Sequence, residues 1–156
     1  MLKLKNRLII VILLAIVGVV ISAYSLKTHY SLEPSSFCNF NDTFSCDAVN
    51  QSWASEIVGV PVALIGLIGY GSLALGGLWL LFVKKITTFA WGAMALASGL
   101  GVVFSVYLTS AEIFSLKAYC LLCLISQLVM LLITWLIWNA SVARQGLRSW
   151  FWSDST

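Results

Sequence analysis

Apolar residues run through this chain in four long blocks that no charge interrupts. Between Arg7 and Lys27 stand 19 uncharged residues, and between Glu56 and Lys84 stand 27. Lys85 to Glu112 and Lys117 to Arg144 each enclose 26 more. A hydrocarbon core about 30 Å thick takes roughly 20 residues of apolar helix to cross. Each block therefore predicts one crossing, and none is long enough for two. A membrane barrel would instead alternate polar and apolar positions over roughly ten residues per strand. These blocks are apolar on every face, so the pattern predicts an all-α bundle of four transmembrane helices, near 7–25, 58–83, 87–113 and 118–139. Between the first two lies a segment, about 26–57, too small for a core of its own; it must lean on the helix ends. The first block follows Lys3, Lys5 and Arg7, as a signal peptide would. Its apolar run nevertheless exceeds the roughly 7–15 residues of a signal core, and no small-residue cleavage site follows.

Composition adds the class. Hydrophobic residues make up 60% of the 156, charged residues 10%, and the mean hydropathy is +0.97. A soluble domain is about a quarter charged, and a disordered chain lacks such apolar content. The nine basic residues then set an orientation. Four crossings put both termini on one side with Lys3, Lys5, Arg7, Lys84, Lys85, Arg144 and Arg148; only Lys27 and Lys117 fall opposite. Under the positive-inside rule both termini are expected in the cytoplasm. The net charge of +3 thus reports topology and gives no reason to expect nucleic acid as a partner.

The whole chain, 1–156, reads as a single membrane domain. Small residues recur along the third crossing at Ala93, Ala97, Gly101, Ser105 and Thr109, and the second is rich in glycine from Gly59 to Gly77. Close helix contact in lipid depends on such residues, so packing is the expected role, with a ligand groove beside the second helix as the alternative. Trp150 and Trp152 read as interfacial anchors.

All four cysteines fall at the predicted outer side, where disulfides form and persist. Cys38 and Cys46 belong to the outer segment; Cys120-Leu121-Leu122-Cys123 opens the fourth helix. Alone, the first couple reads as a staple closing a small loop. C-x-x-C at a helix start is different, because the helix N-terminus favours a thiolate. Zinc fits poorly, since four-thiolate sites use two short-spaced pairs on soluble loops. His29 reads as a solvated or interfacial residue, and Glu112 as a carboxylate snorkelling to the surface. No phosphate loop, hydrolase elbow or zinc-protease motif is present. Two dithiol couples on one membrane face suggest a relay by thiol–disulfide exchange. Cys123 would lie about one turn deeper than Cys120, roughly 4–5 Å at 1.5 Å per residue. It is the sulfur a lipid-dissolved acceptor would meet, and a membrane quinone is the natural acceptor.

The ordered set Cys38, Ser45-Cys46, Ser52, Gly66, Tyr70, Ser105-Val106-Tyr107-Leu108 and Cys120-x-x-Cys123 resembles the vitamin K epoxide reductase family, in particular its bacterial disulfide-forming members. The resemblance covers nearly the whole chain. DsbB, another four-helix quinone oxidoreductase, carries its C-x-x-C before its loop pair, the reverse of the order here. The resemblance implies Cys120 and Cys123 as the redox centre, with Cys123 facing the quinone. It implies Cys38 and Cys46 as the shuttle, Cys38 exchanging with a partner and Cys46 with Cys120. Ser52, Trp53, Ile65, Tyr70 and Gln127 are the residues expected at the quinone, either ubiquinone or menaquinone, with no metal. The partner would be a DsbA-like or thioredoxin-like exported protein, and the location a bacterial inner membrane.

Two positions depart from the vertebrate epoxide reductases. Where those have a tyrosine four residues beyond the C-x-x-C and an asparagine in the second helix, this chain has Gln127 and Val62. Both changes alter polar groups that would hold the epoxide oxygen, which weakens the expectation of epoxide reduction. Many bacterial members also carry a fused thioredoxin-like domain after the fourth helix; this chain reaches only Thr156, so a separate redox partner is expected. Reduction of vitamin K epoxide or quinone is the alternative activity, and a non-catalytic assembly protein with a stapled loop is the alternative of another class.

Overall fold

Four helices long and apolar enough to cross a bilayer carry the fold, with spans at Lys5–Tyr30, Val62–Phe82, Phe89–Phe114 and Leu121–Ala140. They belong to a computed structural model that describes residues 2–31, 39–41, 44–50, 52, 55–83, 88–116 and 120–153. Cys38, Trp53, the Lys84-Lys85 turn and Lys117 lie outside the described residues. In chain order the elements are α1 (Leu2–Tyr30), a small hairpin of β1 (Asn39–Asn41) and β2 (Phe44–Ser45), and the short helix α2 (Cys46–Asn50). A second hairpin follows, β3 (Glu56–Ile57) with β4 (Val60–Pro61), then α3 (Val62–Phe82), α4 (Thr88–Ala111) and α5 (Leu121–Ser153). A π-helical turn at Glu112–Leu116 prolongs α4.

The protein is an all-α four-helix membrane protein, as the charge-free blocks predict, with three differences at the helix ends. α1 continues to Tyr30, five residues past the expected end. Nothing in Leu26–Tyr30 breaks a helix, and polar side chains there find partners in α2. The second crossing begins at Val62, because residues 56–61 form the β3–β4 hairpin. Its turn places Val58 at φ 54° and Gly59 at φ 78°, left-handed backbone that glycine adopts without penalty and valine does not. Pro61 stands just before α3 and has no amide hydrogen to contribute to a helix interior. At the other end α5 runs on to Ser153; no proline stands beyond Ala140 to stop it, and charge does not end a helix once it has left the apolar layer.

The helices form a ring in which α1 packs on α3 and α5, and α4 packs on α5 and α3. The core is drawn from all four: Leu8, Val11 and Ala15 of α1; Tyr70, Leu73 and Leu80 of α3; Trp91 and Met94 of α4; Met130, Ile133 and Ile137 of α5. Large apolar side chains such as Leu13, Ile68, Leu75, Leu96 and Trp135 remain exposed on the outside. Such a surface suits lipid, where burial of apolar groups between helices gains little and contact geometry decides. Small residues supply that geometry. The ring of Tyr70 lies over Gly18 so closely that a Cβ there would overlap it. A Cβ on Gly77 would come 2.9 Å from Ile12, and one on Gly101 would come 2.8 Å from Met130. Thr134 ties α5 to α4, its hydroxyl 3.2 Å from the Ser98 carbonyl oxygen and 2.9 Å from that of Met130.

Candidate functional site

At one end of the bundle a second, small cluster joins α2 to the start of α5. Cys46, Val49 and Cys120 are all buried, with Leu122 and Cys123 packed against them. Cys46 opens α2 and is disulfide-bonded, whereas Cys120 and Cys123 are free thiols. The Cys120 sulfur stands 3.5 Å from that of Cys46, close enough for a sulfur of one couple to attack the other after a small shift.

Cys120 caps α5. Its carbonyl accepts the first intrahelical bond, from the Leu124 amide at 3.1 Å, and its sulfur accepts the Cys123 amide at 3.3 Å. Serine or aspartate oxygens occupy this position in ordinary caps, satisfying an amide that the helix leaves unpaired. A sulfur placed so receives an N–H donor and the positive end of the helix dipole together. The three-residue spacing of C-x-x-C is what brings the second amide onto the first sulfur. The same spacing turns Cys123 elsewhere. Cys120 is fully buried under α2, while Cys123 is half-buried and faces a cavity between the helices.

That cavity has a volume of about 350 Å3 and is bounded by α1, α3, α4 and α5. Its walls are largely apolar, with Ile65, Leu73, Leu100, Phe104 and Met130 among them. Small-molecule sites have this character, mostly apolar with a few placed polar groups, starting at roughly 300 Å3. Gly66 and Gly69 leave room along the α3 wall, and Ala97, Gly101 and Ser105 along that of α4. The small residues of these helices therefore both pack and line space. Gly66 does both, since a Cβ there would approach the Ser22 hydroxyl to 2.8 Å.

The polar points are fixed by hydrogen bonds. Tyr70 donates its hydroxyl to the Ser126 carbonyl at 2.6 Å and lies 2.9 Å from the Ser126 hydroxyl. Thr109 donates to Oε1 of Gln127 at 2.8 Å, holding that amide across the α4–α5 seam. Opposite them, α1 and α2 build a second polar wall. Asn50 donates its side-chain amide to Thr28 at 2.9 Å, and Nδ1 of His29 lies 2.6 Å from the Asn50 carbonyl oxygen. Nε2 of His29 reaches Glu56 at 3.2 Å.

Of the residues singled out in the sequence, Cys123, Ile65, Tyr70 and Gln127 come together around the cavity. Cys46 and Cys120 meet beside it. Ser52 does not line it: its hydroxyl donates to the Val49 carbonyl at 2.7 Å and closes the end of α2. Cys38 and Trp53 fall outside the described residues.

Two expectations change. His29 is only 12% exposed and part of the polar wall, because α1 extends far enough to pack its last turn under α2 and the segment after it. Glu112 does not snorkel to the surface. It is 4% exposed and lines the same cavity as Cys123, with Oε2 3.5 Å from the Cys120 amide. Its place eight residues before Cys120 in the sequence carried the hint. The π turn that begins at Glu112 adds a residue to the turn and so changes the face its side chain takes. Among the described residues no three of His, Cys, Asp and Glu gather as a metal site.

A four-helix membrane bundle with a capped dithiol, a disulfide sulfur against it and an apolar cavity behind it defines a membrane redox protein. The model of the vitamin K epoxide reductase family matches residues 9–138, and the chain belongs to that family. The match runs from the first turns of α1 through most of α5, so it takes in both cysteine couples and every wall of the cavity. Members of the family are oxidoreductases, and this chain is accordingly a membrane oxidoreductase.

Proposed function

We propose that this protein is a membrane thiol:quinone oxidoreductase that makes disulfides for exported proteins. The cysteine end faces the outside of a bacterial inner membrane, both termini face the cytoplasm, and a DsbA-like or thioredoxin-like protein is the electron donor. The observation that carries the reading is the division of labour between two neighbouring sulfurs: Cys120 touches Cys46 at 3.5 Å, and Cys123 opens onto the cavity.

In this reading Cys38 and Cys46 form the shuttle couple. A partner dithiol reduces it at Cys38, and the Cys46 thiolate attacks the Cys120–Cys123 disulfide at Cys120. That attack forms a Cys46–Cys120 mixed disulfide and releases Cys123 as a thiolate. Cys38 then resolves the mixed disulfide, leaving an oxidised shuttle and a reduced C-x-x-C. The described state, with Cys46 disulfide-bonded and Cys120 and Cys123 free, is the one expected at that point of the cycle.

A quinone in the cavity would supply the two-electron, two-proton acceptor that returns Cys120 and Cys123 to a disulfide. The residues present suit such a group: a largely apolar space bounded by α1, α3, α4 and α5, with Ile65 and Tyr70 on α3 and Gln127 on α5. Thr109 orients the Gln127 amide, and Tyr70 is held by Ser126. The cap keeps the Cys120 sulfur aligned with Cys46.

The test mixes the purified full-length protein with a reduced DsbA-like partner and a membrane quinone, following quinone reduction and partner thiols together. Stoichiometric loss of both is expected. Partner oxidation without quinone consumption, or no reaction with either, would overturn the proposal.

A further inference from the structure

Glu112 is the one buried carboxyl among the described residues, and the relay as written has no use for it. A carboxylate held inside an apolar bundle is costly unless it is paired or takes up a proton. Among the described residues no cation lies within ion-pair range of it; the histidine at this end is paired with Glu56. It accepts from the Cys120 amide at 3.5 Å and lines the same cavity as Cys123. The other titratable groups on the cavity are Tyr70, which already donates to Ser126, and His29, in the opposite polar wall. A longer acceptor distance than an ordinary 2.9 Å bond says that the Cys120 amide alone does not account for the placement.

From this juxtaposition we infer that Glu112 is the proton carrier of the Cys120–Cys123 couple. Closing the couple breaks two S–H bonds and forms one S–S bond, releasing two electrons and two protons. Glu112 takes the Cys123 proton as the thiolate forms, holds it while the couple is a disulfide, and returns it to Cys123 when the couple is reduced. The second proton leaves to water, the acceptor draws its two protons from water, and the dithiol that next reduces the couple gives one proton to it and one to water, so the count closes over the cycle. Reduction of the couple runs the same transfer backward. A general acid–base of this kind contributes about 10²–10⁴-fold to a rate, and this buried carboxyl lines the same cavity as the Cys123 thiol it would serve.

The inference rests on the thiol:quinone reading for the identity of the acceptor, so the decisive measurement omits quinone. Full-length protein in lipid nanodiscs is poised with reduced and oxidised dithiothreitol, and the infrared difference spectrum of the two states is recorded. The carbonyl stretch of a protonated carboxylic acid should change between the states in the wild type. It should vanish in Glu112→Gln and persist in Glu56→Gln. Glutamine keeps an acceptor for the Cys120 amide but cannot carry a proton. In parallel, oxidation of the pre-reduced Glu112→Gln protein by quinone should slow about 100-fold, and reduction of its C-x-x-C disulfide by dithiothreitol should slow with it. Glu112→Asp, which keeps the acid, should recover part of the rate and a shifted band.

No carboxyl band in the wild type, or an unchanged band in Glu112→Gln, overturns the inference. So does failure of both the glutamine and the aspartate variants to cycle the couple with dithiothreitol, which would assign Glu112 to holding the start of α5. A wild type that shows the band but reduces no quinone sinks the thiol:quinone reading and leaves the proton carrier standing.

Discussion

The sulfur of Cys120 lies 3.5 Å from that of Cys46 and receives the Cys123 amide at 3.3 Å. One residue thus serves as helix cap and as the meeting point of the two couples. Because a cap fixes its own rotamer, the direction in which Cys120 can exchange is set by the start of α5, and Cys123 is left to face the cavity.

This arrangement predicts what trapping will show. In the Cys38→Ala/Cys123→Ser double variant both sulfurs that could resolve a Cys46–Cys120 bond are gone, so that bond, once formed by oxidation, persists. Nonreducing mass mapping should find that cross-link accumulating, and should find none in Cys120→Ser. A Cys46–Cys123 bond in Cys120→Ser would instead mean that the two sulfurs exchange roles.

Cys38→Ala should abolish oxidation of a protein partner yet keep quinone reduction by dithiothreitol within about threefold. Cys120 is fully buried, but Cys123 is half-buried on the cavity, giving a small dithiol an entry that a folded partner lacks. Assaying the two electron donors side by side checks it. Equal loss of both would show that the loop couple also shapes the acceptor site.

Gln127 bears on the choice of substrate. Its oxygen is engaged by the Thr109 hydroxyl at 2.8 Å, and Val62 supplies no polar group. Turnover of vitamin K epoxide by the purified protein should therefore fall far below turnover of quinone. Comparable rates would favour epoxide reduction as the physiological activity.

Gly18 and Tyr70 test the packing that shapes the cavity. In Gly18→Ala the new methyl overlaps the Tyr70 ring, which must leave its place beside Ser126 or push α1 away from α3. Overpacking of this kind costs about 1–3 kcal/mol, and thermal unfolding in detergent should show it. Tyr70→Leu should relieve the overlap, so the double variant is expected to be more stable than the sum of the single effects predicts. Simple additivity would mean that the two residues are not in contact.

Four crossings, their approximate ends and the two cysteine couples are determined by the sequence alone. The bilayer explains why: a charge inside an apolar block is penalised wherever it points, so span number is written in one dimension. Cap chemistry at Cys120 is equally local, since the amide of a residue three positions on always returns to the cap. Rotation of each helix about its axis is another matter. Glu112 lies near the end of its span whether it faces water, lipid or the cavity, and only the packing of α4 on α5, with the π turn after Ala111, turns it into the cavity that Cys123 also lines. His29 is likewise a polar residue at a helix end until α2 folds over it and offers the Asn50 carbonyl. The contact of Cys46 with Cys120 joins residues 74 positions apart, and no local periodicity encodes such a distance. Depth in the membrane is a property of composition, and facing is a property of neighbours; the chemistry at this end of the bundle depends on the second.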